Sequence, residues 1–181
     1  MKISHLLPLL VLAAACERGP KAEAAPDSAA AGGMARTDLL EADIEGAEYG
    51  LQFVDLAVGP IHFTNRRWQD SAQQATVSLL ETLGGDLNGD GRGDGLAILA
   101  ANFGGTGTFV SAVPVLNQDG KAVVGRGAAL GDRTRVLALS LNADTVNITM
   151  LAVGPSDPFC CPTDTVTQRY HLVGDSLALL P

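Results

Sequence analysis

The stretch Thr145-Val-Asn-Ile-Thr-Met150 alternates polar and apolar side chains at every position. Successive side chains of a β-strand point to opposite faces of the sheet, so the alternation predicts a strand with Val146, Ile148 and Met150 on a buried face. Turn-forming residues precede it at Asn142-Ala-Asp144. The stretch therefore predicts one strand of an antiparallel β fold.

Similar patterns lie on both sides of this strand. Val166, Tyr170 and Leu172 share one face, opposite a polar face of Thr165, Thr167, Arg169 and His171. Further apolar or β-branched runs are Leu96–Ala100, Thr108–Leu116 and Arg133–Leu141, and turn chemistry stands at Gln118-Asp-Gly120, Gly131-Asp132 and Gly174-Asp175. This spacing predicts a mainly β protein, with antiparallel strands in a sandwich or partly open barrel.

One or two short helices are compatible with this fold. The segment Asp38–Ala47 is predicted as a short helix with Thr37 as its N-cap. For Gln69–Leu83, the sequence leaves open whether the segment is strand throughout or begins as helix.

The first fifteen residues carry the three parts of a secretory signal peptide. Lys2 supplies a positive charge, residues 3–12 are mostly apolar, and Ala13-Ala-Ala15 gives small residues before a cleavage site. The apolar run is too short to span about 30 Å of hydrocarbon as a helix. We therefore predict residues 1–15 as a signal peptide and not as a membrane span.

The sequence Leu12-Ala-Ala-Ala-Cys16 resembles the bacterial lipobox, in which the cysteine is acylated and becomes the first mature residue. Two or more acyl chains anchor a protein stably where one chain is marginal. The alternative is an ordinary cleaved signal with Cys16 as a bystander. Glu17 is not the aspartate that usually retains lipoproteins in the inner membrane, so the outer membrane is expected if the host has two.

Residues 17–37 are mostly Ala, Gly, Pro, Ser and charged residues without apolar periodicity. Such a segment has too little hydrophobic mass to offset its ordering entropy, so residues 16–37 are predicted as a lipidated cysteine and a flexible tether. Residues 38–181 have the size of one ordinary domain. The formal net charge of −8, without a basic cluster, argues against a nucleic-acid partner and leaves the lipid as the membrane attachment.

The segment Asp86-Leu-Asn-Gly-Asp-Gly-Arg-Gly-Asp94 places oxygen-bearing side chains at loop positions 1, 3, 5 and 9. Glycines at positions 4, 6 and 8 permit the sharp reversal that lets these side chains converge. Calcium prefers six to eight oxygen ligands, from carboxylates and backbone carbonyls. We predict a Ca²⁺ site formed by Asp86, Asn88, Asp90 and Asp94, with the backbone carbonyl of Arg92 as a further ligand.

The loop departs from an EF-hand because its position 12 is Ala97, so the bidentate glutamate is missing. The shorter pattern D-x-[DN]-x-D-G-x-x-D fits, and it resembles the calcium loops of FG-GAP repeats in integrin-type propellers. In those loops the ninth residue closes the site, as Asp94 can here. The alternative is a glycine- and aspartate-rich turn that binds nothing tightly. The tripeptide Arg92-Gly-Asp94 inside the loop is interpreted as coincidence.

Cys160 and Cys161 lie between Pro158 and Pro162. Adjacent Cα atoms are about 3.8 Å apart across a trans peptide, below the usual disulfide range of about 4.4–6.8 Å, so a vicinal disulfide would be strained and easily reduced. A vicinal disulfide and two packed thiols both remain open, and metal binding or redox chemistry is a further alternative. The flanking prolines indicate a rigid structural corner.

Common catalytic motifs are absent from the sequence: there is no G-x-S-x-G, no H-E-x-x-H and no Walker loop. The glycine-rich Gly104–Thr108 lacks the lysine of a phosphate loop and is interpreted as a turn. His62 and His171 have no neighbouring nucleophile in sequence, although a spatial triad would be compatible with them. The sequence therefore favours a protein that is not an enzyme.

Several segments occur together in a specific order. They are Asp86-Leu-Asn-Gly-Asp-Gly91, Gly104-Gly-Thr-Gly-Thr-Phe109, Asn117-Gln-Asp-Gly-Lys121, Leu130-Gly-Asp-Arg133, Gly154-Pro-Ser-Asp-Pro-Phe-Cys-Cys-Pro-Thr163 and Arg169-Tyr170. Over about Thr76 to Leu180 they resemble a family of secreted bacterial domains and lipoproteins whose function is not established. The resemblance implies an extracytoplasmic, non-catalytic module and assigns no active-site residue.

Together these features predict a lipid-anchored protein of the bacterial cell envelope, facing the periplasm or the exterior. Its single β-rich domain is expected to be a calcium-stabilised binding or structural module for an envelope protein or ligand that the sequence does not identify. The first rival is a thiol-redox or metal-handling protein that uses Cys160 and Cys161. The second rival is a periplasmic hydrolase.

Overall fold

Alternating apolar side chains build two antiparallel sheets and a separate hairpin. The computed structural model describes residues 38–53, 56–158 and 160–181. The predicted signal peptide, Cys16, the tether and Thr37 lie outside the described residues. All described residues belong to one compact unit, and no helix among them is long and apolar enough to cross a membrane.

The described part of the chain forms one short helix and twelve strands. In chain order these are α1 (Glu41–Gly46), β1 (Tyr49–Phe53), β2 (Leu56–Ile61), β3 (Arg67–Asp70), β4 (Ala75–Gly85), β5 (Asp94–Phe103), β6 (Phe109–Gln118), β7 (Lys121–Val124), β8 (Ala128–Asp132), β9 (Arg135–Asn142), β10 (Thr145–Ala152), β11 (Asp164–Val173) and β12 (Ser176–Leu179).

The larger sheet has the order β3-β4-β5-β6-β7, and β8 also pairs with β6. Strand β6 can hold both neighbours because its first half, Phe109 to Ala112, pairs with β8, and its second half, Val115 to Gln118, pairs with β7. The second sheet has the order β12-β11-β10-β9, while β1 and β2 form their own hairpin. The paired strands are antiparallel.

Strand β5 is buried on both faces and separates two hydrophobic clusters. On one face, Ala97 and Leu99 belong to a cluster with residues of α1 and the β1–β2 hairpin. On the other face, Leu96 and Ile98 pack with apolar residues of the four-stranded sheet. The two sheets therefore form a sandwich, and the helix and hairpin cover part of the larger sheet's opposite face.

The alternation at 145–150 has the predicted effect. Val146, Ile148 and Met150 of β10 are at most 1 % exposed and face the larger sheet. Tyr170 on β11 and Leu96 on β5 belong to the same cluster. The predicted mainly β, antiparallel fold is confirmed.

The predicted helix at Asp38–Ala47 is shorter than expected, since α1 spans only Glu41–Gly46. The carboxylate of Asp43 accepts a hydrogen bond from the Leu40 N–H at 2.8 Å at its start. The preceding residue Leu39 instead donates its N–H to the carbonyl of Gly93, at 3.0 Å. This contact with the loop before β5 competes with helix formation and holds the segment extended.

The structure also decides the secondary structure of Gln69–Leu83 and corrects the position of one predicted turn. Gln69–Leu83 contains no helix, because β3 ends at Asp70 and β4 begins at Ala75 after a turn. The predicted turn at Gly131-Asp132 lies one position early, since both residues belong to β8 and the chain turns at Arg133, whose φ is 55°.

The helix approaches the larger sheet closely at one position. Ile44 is 2 % exposed and packs against β5, where a Cβ on Gly95 would collide with the Ile44 side chain. A glycine at the second residue of β5 therefore lets α1 pack next to the end of the segment Asp86–Asp94, here called the acidic loop.

Candidate functional site

The acidic loop connects the last residue of β4, Gly85, to the first residue of β5, Asp94. Within it, Gly89 and Gly91 have φ values of 77° and 80°. Residues with a Cβ rarely adopt this left-handed conformation, so the loop needs glycine at these two positions. The sequence thus allows the reversal that was predicted from its glycine spacing.

The first three predicted ligand side chains fold back onto the loop's own backbone. Asp86 accepts hydrogen bonds from the N–H groups of Gly89 and Gly91, each at 2.7 Å. Asn88 accepts from the Asp90 N–H, and Asp90 accepts from the Arg92 N–H, each at 2.8 Å. These bonds order the loop. Because a carboxylate has about four acceptor positions, the oxygens of Asp86 and Asp90 can still accept further bonds.

Asp94 is the most buried of the predicted ligands, with no exposed surface. One carboxylate oxygen accepts from the Leu87 N–H at 3.0 Å and the other from the Asn117 N–H at 2.8 Å. The carboxylate therefore joins the acidic loop to the end of β6.

The environment of Asp94 disfavours its negative charge. Burial raises the pKa of the Asp94 carboxyl above its ordinary value, and the charges of Asp90 and Asp86 raise it further, although the hydrogen bonds from Asn117 and Leu87 act in the opposite direction. The three carboxylates thus interact electrostatically across the loop. A cation between them would relieve this repulsion.

Other segments brace the loop from outside. The Gly93 N–H donates to the carboxylate of Asp38 at 2.7 Å, and the Gly93 carbonyl accepts from the side-chain amide of Asn117 at 3.2 Å. On the surface, the guanidinium of Arg92 pairs with Asp119 at 2.8 Å. The loop is therefore the junction of three segments: the chain before α1, the β4–β5 connection and the β6–β7 hairpin.

Sequence reasoning missed three of these contacts. Asp119 is predicted only as part of a turn, Asp38 is assigned to a helix, and Asn117 appears only among the segments that carry the family resemblance. The polar Asn117 is only 3 % exposed, but its burial depends on pairing between β5 and β6. No local sequence signal indicates that pairing.

The predicted ligand set is partly assembled. Asp86, Asn88 and Asp90 lie on one loop, and Asp94 lies directly beyond it. Across the described residues, no group of three or more His, Cys, Asp or Glu side chains is arranged so that it could hold a metal ion. Calcium binding by these residues and the Arg92 carbonyl stays a prediction.

Asp157 joins the two ends of the segment that contains Cys160 and Cys161. Asp157 accepts hydrogen bonds from the Gly154 N–H at 3.0 Å and from the Thr163 N–H and hydroxyl, each at 2.7 Å. These bonds, the Gly154 one first, lower the pKa of the Asp157 carboxyl. The carboxylate therefore fixes the two ends of the segment that contains the cysteine pair.

Cys160 and Cys161 are exposed thiols that are not joined to each other. Their exposure does not fit the interpretation as two packed thiols. A hydrogen bond with the neighbouring Cys160 is the largest influence on the Cys161 thiol and raises its pKa, as burial and nearby negative charges also do. A raised pKa reduces the thiolate fraction, which is the reactive form of cysteine.

The contacts of the two histidines in the described domain are not those of a catalytic histidine beside a nucleophile. The Nε2 atom of His62 lies 3.3 Å from a carboxylate oxygen of Glu48, and both side chains are exposed. The Nδ1 atom of His171 is buried without a hydrogen-bond partner among the described residues. Within that part of the chain, neither imidazole has a hydrogen bond to a hydroxyl or thiol.

Comparisons with models of protein families, with curated proteins and with solved structures found no match. The chemistry of the described residues is therefore what supports a function.

Proposed function

We propose that this protein is a lipid-anchored protein of the bacterial cell envelope whose β-sandwich is a non-catalytic binding or structural module stabilised by calcium. The observation that supports this proposal is the loop Asp86–Asp94, where the side chains of Asp86, Asn88 and Asp90 lie on one loop beside the fully buried Asp94 carboxylate. Burial first, and then the charges of Asp90 and Asp86, raise the pKa of that carboxyl. Charge repulsion of this kind is what a bound divalent cation offsets.

The position of the loop gives calcium a structural effect. Asp38, Asp94 and Asn117 already join three segments at this junction through the hydrogen bonds of Gly93, Leu87 and Asn117. A cation bound by Asp86, Asn88, Asp90, Asp94 and the Arg92 carbonyl would add direct bonds within the same junction. Magnesium is expected to do less, because it requires a stricter octahedral geometry and gives up its water reluctantly.

Calcium binding is tested by titration calorimetry on the full chain carrying Cys16→Ser, which removes the predicted acylation site. Heat of binding is expected from this protein and not from its Asp90→Ala variant, which lacks the central ligand. Asp119→Ala is the matched control, because it removes an exposed carboxylate from the adjoining hairpin. Equal heats from all three proteins, or none from the first, would contradict the calcium site.

The anchor rests on the lipobox that ends at Cys16. Cys16→Ser is expected to abolish incorporation of labelled palmitate in the bacterial host and to leave uncleaved precursor or release soluble protein. The measurement is palmitate labelling with detergent phase separation, and Cys161→Ser is the control that keeps Cys16. If the protein without substitutions partitions into the aqueous phase, the proposed lipid anchor is wrong. In a host with two membranes, fractionation is expected to recover the anchored protein with the outer membrane.

A second candidate function is thiol-redox or metal-handling chemistry at Cys160 and Cys161. Their exposure and adjacency favour it. The raised pKa of Cys161 counts against it, because a redox cysteine needs an accessible thiolate at neutral pH. We therefore rank this function below the calcium-stabilised module.

The reactivity of the pair distinguishes the two functions. We compare the alkylation rate of Cys161 in the protein that keeps both cysteines with its rate in the Cys160→Ser variant. The rate is expected to be lower in the protein that keeps both cysteines. The reason is that the hydrogen bond with Cys160 raises the pKa of Cys161, so the midpoint of its alkylation rate profile should lie at a higher pH than that of an ordinary thiol. A rate profile with its midpoint near or below neutral pH would favour the redox function.

A further inference from the structure

A groove of about 880 Å³ opens on the face of the larger sheet that α1 and the β1–β2 hairpin cover only in part. Its floor includes alternate residues of β6, namely Phe109, Ser111 and Val113, which share one face of the sheet. Phe103 at the end of β5 and Leu51 on β1 flank this floor. The ring centroids of Phe103 and Phe109 are 6.2 Å apart.

A glycine wall borders this floor in the same sheet, because β8 pairs with the first half of β6. It consists of Gly125, Gly127, Ala129 and Gly131, in and before β8. A Cβ on Gly127 would stand 2.7 Å from the carbonyl oxygen of Ala112, so close packing of this segment against β6 requires glycine there. The position of this side of the groove is therefore fixed by the close backbone packing of Gly127 against β6.

Two polar groups of the groove have no partner in the described part of the chain. Ser111 lies in the floor and is only 8 % exposed, yet its hydroxyl forms no hydrogen bond with another described residue. Arg126 lies at the edge, and its guanidinium forms neither a hydrogen bond nor an ion pair with one. The hydroxyl of Ser111 and the guanidinium of Arg126 can therefore each bond to a polar group of a ligand in the groove.

The other charge in the lining is already compensated. Asp132 forms an ion pair with Arg133 at 2.6 Å and accepts a hydrogen bond from the Thr108 N–H at 2.7 Å. Arg126 is thus the cation of the lining that lacks a counter-charge among described residues, in a chain whose net charge is −8. A ligand that complements the groove carries one anionic group beside an apolar body.

We propose that this groove binds a monoanionic amphiphile with an unbranched apolar chain and a carboxylate. The apolar chain lies on Phe103, Phe109 and Val113 against the glycine wall, the carboxylate pairs with Arg126, and the Ser111 hydroxyl donates a hydrogen bond to the ligand. The groove volume falls within the range of about 300–1,000 Å³ that is typical of small-molecule sites. This site shares no residue with the acidic loop and does not depend on calcium.

Titration calorimetry with decanoate and with uncharged decanol tests the proposal on the full chain carrying Cys16→Ser, without detergent. Arg126→Gln is expected to weaken decanoate binding by about tenfold or more, because it removes a charge-assisted hydrogen bond, and to leave decanol binding unchanged. The matched control is Arg135→Gln, which removes an exposed arginine from β9 in the other sheet. It is expected to leave both affinities unchanged.

A second variant fills the groove instead of altering its charge. Ala129 is exposed, so Ala129→Phe should keep the fold, with a melting temperature close to that of the parent protein, and should abolish binding of both decanoate and decanol. Absence of decanoate binding to the parent protein at millimolar concentration would overturn the proposal, as would equal weakening by Arg126→Gln and Arg135→Gln. Binding that arises only after deletion of residues 17–37 would also overturn it, because the chain itself would then be the occupant.

Discussion

Replacing Asp94 with alanine is expected to lower the free energy of unfolding by about 2–6 kcal/mol. The carboxylate accepts from two buried N–H groups, those of Leu87 and Asn117, and each group left without an acceptor costs about 1–3 kcal/mol. The measurement is urea unfolding of the full chain carrying Cys16→Ser, in EDTA, so that divalent ions do not contribute. If the slope of the unfolding free energy against urea concentration is the same for Asp94→Ala and for the parent protein, the native state of the variant stays compact.

Two comparisons separate the hydrogen bonds of Asp94 from its charge. Asp94→Asn keeps one acceptor oxygen and is expected to lose less stability than Asp94→Ala. Asp119→Ala removes an exposed carboxylate that pairs with Arg92, and such pairs contribute about 0–1 kcal/mol. If Asp94→Ala costs no more than Asp119→Ala, the buried carboxylate is not the structural link between the acidic loop and β6.

The strands were predictable because their signal is local. In β10 every second side chain is apolar, and a strand that covers a core on one face requires that alternation. Strand β5 gave a different local signal: Leu96–Ala100 is a continuous apolar run because the strand has a hydrophobic cluster on each face. Both patterns follow from the environment of a single strand and do not depend on which strands are its neighbours.

The contacts that organise the acidic loop were not predictable for the opposite reason. Asp94 and Asn117 are 23 positions apart and meet only because β5 pairs with β6. Asp38 and Gly93 are 55 positions apart, and their hydrogen bond replaces the first turn of the helix that local propensity favoured. Glycine spacing predicted the reversal of the loop, whereas its bracing depends on long-range pairing.

The groove also depends on the arrangement of distant segments. Ser111 lies in an otherwise apolar run of β6, and Gly125, Gly127 and Gly131 resemble ordinary turn residues when the sequence is considered alone. Only the pairing of β8 with the first half of β6 places these small residues beside Ser111 and Phe109. A depression with one uncompensated cation therefore has no sequence signature of its own.

Calcium is expected to raise the melting temperature of the full chain carrying Cys16→Ser by several degrees, compared with the same protein in EDTA. Extracellular calcium modules bind with dissociation constants of about 10⁻⁴–10⁻³ M. At the tighter end of this range, about 10 mM calcium is about 100 times the dissociation constant, and binding then stabilises the folded state by about 2.7 kcal/mol. For a domain of this size, roughly 2–4 °C accompanies each kcal/mol, which corresponds to about 5–10 °C. The measurement is a thermal melt in EDTA and in about 10 mM calcium.

The variant Asp90→Ala should lose this increase, because it removes the middle ligand of the proposed set. Its melt in EDTA should stay close to that of the parent protein, since Asp90 is exposed and its carboxylate bonds only within the loop. Magnesium at the same concentration should give a smaller shift, which distinguishes coordination from screening of the negative charge. If the parent protein melts at the same temperature in both buffers, or if Asp90→Ala keeps the calcium shift, then the hydrogen bonds of Asp86, Asn88 and Asp94 are sufficient to form the loop, and its acidic residues serve as a turn.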